Sequence, residues 1–347
     1  MNIQDAIKVV IDAIDLSREE MQSVMQQIMT GETTPAQIGG LLVALRMKGE
    51  TIQEITAAAQ VMSSLAEPVA IELPNLIDIV GTGGDGISTF NISTASAFVA
   101  AAAGANVAKH GNRSVSSKSG SADLLEQAGA ELSLQAKQVA AVIEQAGVGF
   151  MFAPMHHSAM KHAIGPRKEM AVRTIFNVLG PLTNPAGVKR QVVGVFAKDL
   201  TDTLANVFAE LGSEHTLVVH SDDGMDEISI SAPTTISEMN AHKNKGKVET
   251  YKVSPEDFGL KSSSLEELVV ADSSESLQLI HKVFAGEHCA ARDAVALNAG
   301  AGIYVSGLAN SLAVGVEKAL TVIDAGQAQE KLSAYVLATQ AVATQNN

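Results

Sequence analysis

Apolar side chains recur at the spacing of one helix face from the start of the chain: Ile3, Ile7, Val10, Ile11 and Ile14. Three helix starts follow, each a Ser or Thr three residues ahead of a Glu or Gln and then an apolar periodic run: Ser17 with Glu20, Thr34 with Gln37, Thr51 with Glu54. Pro35 takes a first helical position, where its missing N–H costs nothing. Residues 1 to about 66 are therefore expected to form a compact helical subdomain.

Glu67 and the stretch Pro68 to Pro74 read as a linker, and from Leu76 the pattern changes. Short apolar runs at Leu76–Val80, Ala105–Ala108, Val148–Ala153, Gln191–Ala197 and Thr216–His220 read as buried strands. Between them, Thr94–Ala103, Ala122–Ala128, Ala136–Gln145 and Thr201–Leu211 read as helices. That alternation predicts a mainly parallel sheet flanked by helices, with ligands beyond the carboxyl ends of its strands. Ala241–Ser264 is polar, Lys-rich and poorly patterned, and reads as a peripheral excursion. Residues 276–339 return to helix, with small residues from Asn298 to Ala309 suited to close packing. No internal repeat is visible.

At 347 residues the chain is long enough for two domains. Its net charge of −14 argues against nucleic acid or a membrane surface as partner. Basic residues still gather locally, at Lys109, Arg113, Lys118, Lys161, Arg167, Lys168 and Arg173, which suits a small anionic substrate. Cys289 stands alone, so neither a disulfide framework nor a cysteine metal site is expected. Nothing at the N-terminus resembles a signal peptide and no run approaches transmembrane length, so a soluble, cytoplasmic protein is expected.

The chemistry concentrates between Leu76 and Asp123. Gly81, Gly83, Gly84 and Gly86 follow a predicted strand and lead to a helix start, a geometry that presents free amides to phosphate. The residues match G-x-G-x-x-G, but the segment after the next strand carries Lys109 and His110 where a dinucleotide site wants an acid. Asp85 inside the loop would repel a pyrophosphate unless a cation lay between them. A second loop, Lys109 to Ser121, adds basic residues and five serines, and two phosphate-type loops imply a substrate with more than one phosphate group. His156, His157 and His162 lack the spacing of a zinc site. An arginine among Arg167, Lys168 and Arg173 could fork onto a substrate carboxylate, or pair with a local acid such as Glu169. Asp222, Asp223, Asp226 and Glu227 follow a predicted strand without calcium-loop spacing; near phosphates, such carboxylates imply magnesium.

The ordered set DIVGTGGDG (Asp78–Gly86), NIST (Asn91–Thr94), KHGNRSVSSKSGSAD (Lys109–Asp123), Ile164–Ala186 and DGMDEIS (Asp223–Ser229) resembles the anthranilate phosphoribosyltransferases. Met29–Thr51 and Arg292–Ala299 also look like that family, so the likeness covers nearly the whole chain. The resemblance implies an α/β fold of the nucleoside phosphorylase and phosphoribosyltransferase type. A small all-helical subdomain at 1–70, completed by helices around 160–185, would form a homodimer, and 71–347 would carry the sheet. It implies transfer of phosphoribose from phosphoribosyl pyrophosphate (PRPP) to the amine of anthranilate, with Mg2+.

By position, PRPP would meet Gly81, Gly84, Asp85, Thr89, Asn91, Ile92, Ser93, Thr94, Lys109, His110, Gly111, Asn112, Arg113, Ser114, Val115, Ser116, Ser117 and Ser121. Gly81, Asn112 and Arg167 would contact anthranilate, and Ser93, Asp226 and Glu227 would hold the metal. Lys109, Asp85 and His110 are the residues nearest the chemistry, with His110 or His157 as acceptor of a late proton. Two other readings remain open: a pyrimidine nucleoside phosphorylase of the same architecture, and a non-catalytic relative that binds nucleic acid.

Overall fold

The computed structural model describes residues 1–113, 119–243 and 246–344. Helices α1 (Ile3–Ile11), α2 (Arg18–Thr30), α3 (Pro35–Lys48) and α4 (Ile52–Ser64) precede the sheet. All three expected capping boxes form, each hydroxyl accepting the N–H three residues on while that Glu or Gln returns the bond. Glu54 does more than cap. Its carboxylate also accepts the Leu16 N–H at 3.0 Å and the Lys48 ammonium at 2.9 Å, and Lys48 reaches Asp15 at 2.7 Å. One buried acid thus ties the α1–α2 turn to the α3–α4 turn.

Among the described residues the sheet has seven strands: β1 (Leu76–Gly81), β2 (Asn106–Gly111), β3 (Val148–Phe152), β4 (Arg190–Gly194), β5 (His215–Ser221), β6 (Thr234–Asn240) and β7 (Glu249–Val253). Their spatial order is β3-β2-β1-β4-β5-β6-β7. The first five pair in parallel, as the alternation of runs predicts. β6 and β7 add an antiparallel edge that the sequence reading did not contain. β7 lies inside the stretch read as a peripheral excursion. Its Glu and Lys residues are the mark of an edge strand, and they erase the apolar signal that a central strand carries.

Flanking the sheet are α5 (Ile92–Ala102), α6 (Ser121–Gln127), α7 (Ala136–Ala146), α8 (Ala153–His156), α9 (Lys161–Met170), α10 (Phe176–Leu182) and α11 (Leu200–Glu210). Helices α12 (Ser273–Phe284), α13 (Ala290–Val305), α14 (Leu312–Asp324) and α15 (Gln327–Thr344) follow the last strand. Helix α13 is buried along its length and packs on α5 and α14. A Cβ on Gly315 would lie 2.2 Å from the Gly300 carbonyl oxygen, so these two glycines set how closely α13 and α14 approach.

Two apolar cores result. Alternate residues of β4 and β5 face opposite ways: Val192, Leu217 and Val219 join the core under α5, α13 and α15, while Val193 and Val218 join the core of α1–α4, α10 and α11. Among the described residues no helix is long and apolar enough to cross a membrane.

Candidate active site

The chain leaves β1 toward β2 on one side and returns to β4 on the other, so a crevice opens at the carboxyl ends of β1 and β4. Gly81 and Gly194 are register partners there. The segment after β5 folds back over both. A Cβ on Gly81 would lie 2.8 Å from Asp226 Oδ2, and one on Gly194 only 1.6 Å from the Asp226 carbonyl oxygen. Glycine at both strand ends is what admits Asp226 to the crevice.

Asp226 then organises the glycine loop, accepting the Gly83 N–H at 3.0 Å. Gly83, Gly84 and Gly86 all have positive φ, which turns the loop sharply without Cβ clashes. Thr82 Oγ1 accepts the Phe196 N–H at 3.1 Å. Arg173 donates to the Gly84 carbonyl while its guanidinium sits 4.2 Å from the Phe196 ring centroid. This clamp on the loop was visible in the sequence only as one member of a basic cluster.

Asp85, Asp226 and Glu227 crowd the crevice. Burial raises all three carboxyls, and like charge adds to the rise at Asp226 and Glu227; Asp226 reaches about 7 and Glu227 lies well above its ordinary value. Beneath them, Lys109 is 3% exposed and donates to the Ile79 carbonyl and to Ser93 Oγ. Burial lowers its pKa, while Asp78, Glu227 and Asp226 oppose that shift. The nearby Ser93 backbone N–H and the Lys109 charge oppose the rise at Glu227 without overcoming it.

Hard oxygens under mutual repulsion suit a divalent cation, which would relieve the strain of burying like charges. Among the described residues no three His, Cys, Asp or Glu side chains are arranged to hold a metal ion. The Asp226 and Glu227 carboxylates are a donor pair of the kind that Mg2+ accepts, since that ion takes one or two carboxylates and fills its shell with phosphate and water. The other two acids of the segment do other work. Asp222 pairs with Lys252, and Asp223 accepts from the Ser229 hydroxyl, the Ser231 hydroxyl and the Met225 N–H.

The second loop leaves β2. Gly111 cannot carry a side chain, since a Cβ would lie 2.7 Å from the Phe150 ring. Asn112 accepts the Ala122 N–H through its carbonyl at 3.3 Å, which closes the base of the loop. Ser114, Val115, Ser116, Ser117 and Lys118 lie outside the described residues. Arg113 is committed to a fork on Glu126 and a bond to Asp123, and stacks over Phe152. Thr94 Oγ1 donates to Ser121 Oγ at 3.1 Å, Thr89 forms a bridge with Val269, and Ile92 is buried with its N–H on the Phe90 carbonyl.

The His110 and His157 rings lie 5.0 Å apart, and burial lowers their pKa values to about 3 and about 4, so both are neutral at pH 7. Asp78, buried and raised to about 6 by that burial, accepts the His110 N–H and the Asn184 side-chain amide. Neither Asp78 nor Asn184 carried a role in the sequence reading. A strand acid with a partner more than a hundred residues away has no local signature.

Arg167 stacks 5.4 Å over Phe176, and burial lowers its pKa. Among the described residues no carboxylate pairs with it, Glu169 included.

The chain thus sets a helical bundle beside a mostly parallel sheet, with acids and glycine amides converging where β1 and β4 end. Residues 4–66 match the glycosyl transferase family helical bundle domain and residues 73–329 its a/b domain. The chain is 60% identical over 335 residues to the anthranilate phosphoribosyltransferase of Marinomonas sp. (strain MWYL1), covering 96% of each. It superposes on the crystal structure of the Thermus thermophilus anthranilate phosphoribosyltransferase with a TM-score of 0.90 at 42% identity, covering 97% of this chain and 99% of that one. The Saccharomyces cerevisiae enzyme in complex with PRPP and Mg gives 0.88 at 26% identity, covering 98% of both. The chain belongs to the anthranilate phosphoribosyltransferase family, pentosyltransferases of tryptophan biosynthesis. The phosphorylase and nucleic-acid readings are not favoured.

Proposed function

We propose that the crevice between β1 and β4 binds PRPP with Mg2+ and that Arg167 receives the anthranilate carboxylate, so that the amine attacks the ribose and pyrophosphate leaves. The observation that carries this reading is the half-buried Asp226–Glu227 pair over the glycine loop. The complex of the yeast relative with PRPP and Mg supports it.

Asp226, Glu227 and Ser93 would hold the metal, which when bound neutralises charge on the leaving diphosphate. The glycine-loop amides beyond Gly83, from Gly84 to Gly86, face phosphate, with the segment from Asn91 to Thr94 at the start of α5 beside them. Lys109 acts from beneath, as a cation that offsets part of the cost of ionising Asp226 and Glu227. An arylamine is already unprotonated near pH 7, so alignment and leaving-group electrostatics carry the rate. His110 and His157, held neutral, are able to accept the proton that the attacking amine gives up.

The helical lobe of residues 1–70, completed by the helices between 160 and 185, acts as the dimerisation lobe. Exposed Ile11, Ile14, Val43 and Met47, with Met47 84% exposed, support a homodimer, as such side chains seek a partner surface. We assign the protein to the cytoplasm, where a biosynthetic enzyme of this family works.

The test is the fall in anthranilate fluorescence on adding PRPP and Mg2+, with and without a chelator. Decay that needs both additions supports the reading. Decay that survives chelation removes the metal, and decay that persists in the Asp226→Asn, Glu227→Gln double variant removes those residues from the site.

A further inference from the structure

Asn91 stands where the glycine loop enters α5, and every polar atom of its side chain is bonded within the chain. Its Oδ1 accepts from Ser119 Oγ at 2.7 Å and from Ser276 Oγ at 2.8 Å, while Nδ2 donates to the Ser119 carbonyl at 3.1 Å. Ser276 Oγ also accepts the Asn91 N–H, at 3.0 Å. A single serine hydroxyl thus donates to one atom of Asn91 and accepts from another. Ser276 is fully buried in the first turn of α12, and Ser119 lies on the returning side of the second loop.

The segment before α12 runs beside the same stretch. Thr89 bridges Val269, Phe90 donates its N–H to the Leu268 carbonyl at 2.9 Å, and Val270 donates to the Ser88 carbonyl at 2.9 Å. Residues 268–276 therefore strap the exit of the glycine loop from outside. Helix α12 does not need Ser276 to stay in position, since Ile280, Val283 and Phe284 bury its apolar face. Asn91 accounts for both of the Ser276 hydroxyl's bonds.

We propose that Ser276, together with Ser119, is a positioning residue for PRPP: the two hydroxyls fix Asn91 and through it the spacing of the two phosphate loops. This rests on the reading of those loops as the PRPP site. Neither serine touches the reaction; their effect is on where the glycine loop and the second loop stand relative to each other. A small side chain is required, because the site is closed, and a hydroxyl is required, because alanine would leave the Asn91 N–H without an acceptor.

The experiment compares Ser276→Ala, Ser119→Ala, their combination and Asn91→Ala in steady-state kinetics, varying each substrate at saturating Mg2+, alongside calorimetric titration with PRPP. Ser276→Ala and Ser119→Ala are each expected to raise KM for PRPP about tenfold, with KM for anthranilate within about twofold. The double variant should rise by less than the product of the singles, since both act through Asn91. If Asn91→Ala raises KM for PRPP while both serine variants leave it unchanged, the positioning role is overturned and the loop reading stands. If Asn91→Ala leaves it unchanged, the loop reading falls and the positioning role with it. Equal rises for both substrates would mean general loosening and would also overturn it. Should Ser276→Ala not fold, Ser119→Ala, which perturbs Asn91 from the loop side, decides alone.

Discussion

Asn298 brackets the peptide of Ile228: its side-chain carbonyl accepts the Ile228 N–H at 2.9 Å and its amide donates to the Ile228 carbonyl at 2.9 Å. Asn298 is fully buried on α13, and Ile228 directly follows the acid pair of the crevice. The most enclosed helix thus holds the turn that presents Asp226 and Glu227. Asn298→Ala leaves two buried backbone groups unpaired and should cost about 2–4 kcal/mol in guanidinium unfolding. A loss below about 0.5 kcal/mol, the scale of an indifferent surface change, would refute this role.

Arg167→Ala should raise KM for anthranilate by about 10–100-fold and leave KM for PRPP within about threefold, the size of a lost charge-assisted hydrogen bond. Arg167→Lys should recover part of the loss, since a point charge replaces a planar fork. Steady-state kinetics with each substrate varied in turn decides it. Equal changes for both substrates would remove Arg167 from the carboxylate.

Gly194→Ala should keep its circular dichroism spectrum and lose turnover by about 100-fold or more, because a Cβ there forces the Asp226 backbone out of the crevice. Near-normal kcat/KM would mean that Asp226 can function from another position.

Acid stability should depend on Glu238. Burial alone would push its carboxyl up, but bonds from His215 at 2.9 Å, Tyr304 at 2.8 Å and Tyr251 at 2.8 Å outweigh that and hold it at about 2, below its ordinary 4.5. A depressed carboxyl stabilises the fold above its unfolded pKa, and that contribution is lost as pH falls from about 4.5 toward 2. With the side chain 12% exposed, the gap is worth on the order of 3 kcal/mol. Urea unfolding between pH 7 and pH 3 should lose part of this in the parent chain and not in Glu238→Gln. Parallel pH profiles would refute it.

What was legible in the sequence was what adjacent residues decide. Ser17 with Glu20, Thr34 with Gln37 and Thr51 with Glu54 announce their helices because a capping box is local. The strands β1 to β5 announce themselves because both their faces are buried. β7 has its polar face outward and gives no such signal. In the site, the glycine loop and the acids after β5 stood out by composition. The partners that position them did not, because Ser276 meets Asn91, Asn298 meets Ile228 and Asn184 meets Asp78 only through the folded topology. Arg113 illustrates the converse. Its motif marked it for PRPP, and it is engaged by Glu126 and Asp123, acids on the helix that follows the loop.

Val192 and Val193, neighbours on β4, belong to different cores. A strand that serves both bodies makes them mechanically inseparable. Cut at residue 66, the first four helices would bare the surface that α11, α10, Val193 and Val218 cover, and the remainder would lose the backing of two central strands. The boundary between the two family segments is therefore a boundary in sequence and not in autonomy. Heat should melt the chain as one unit, and neither half should survive alone.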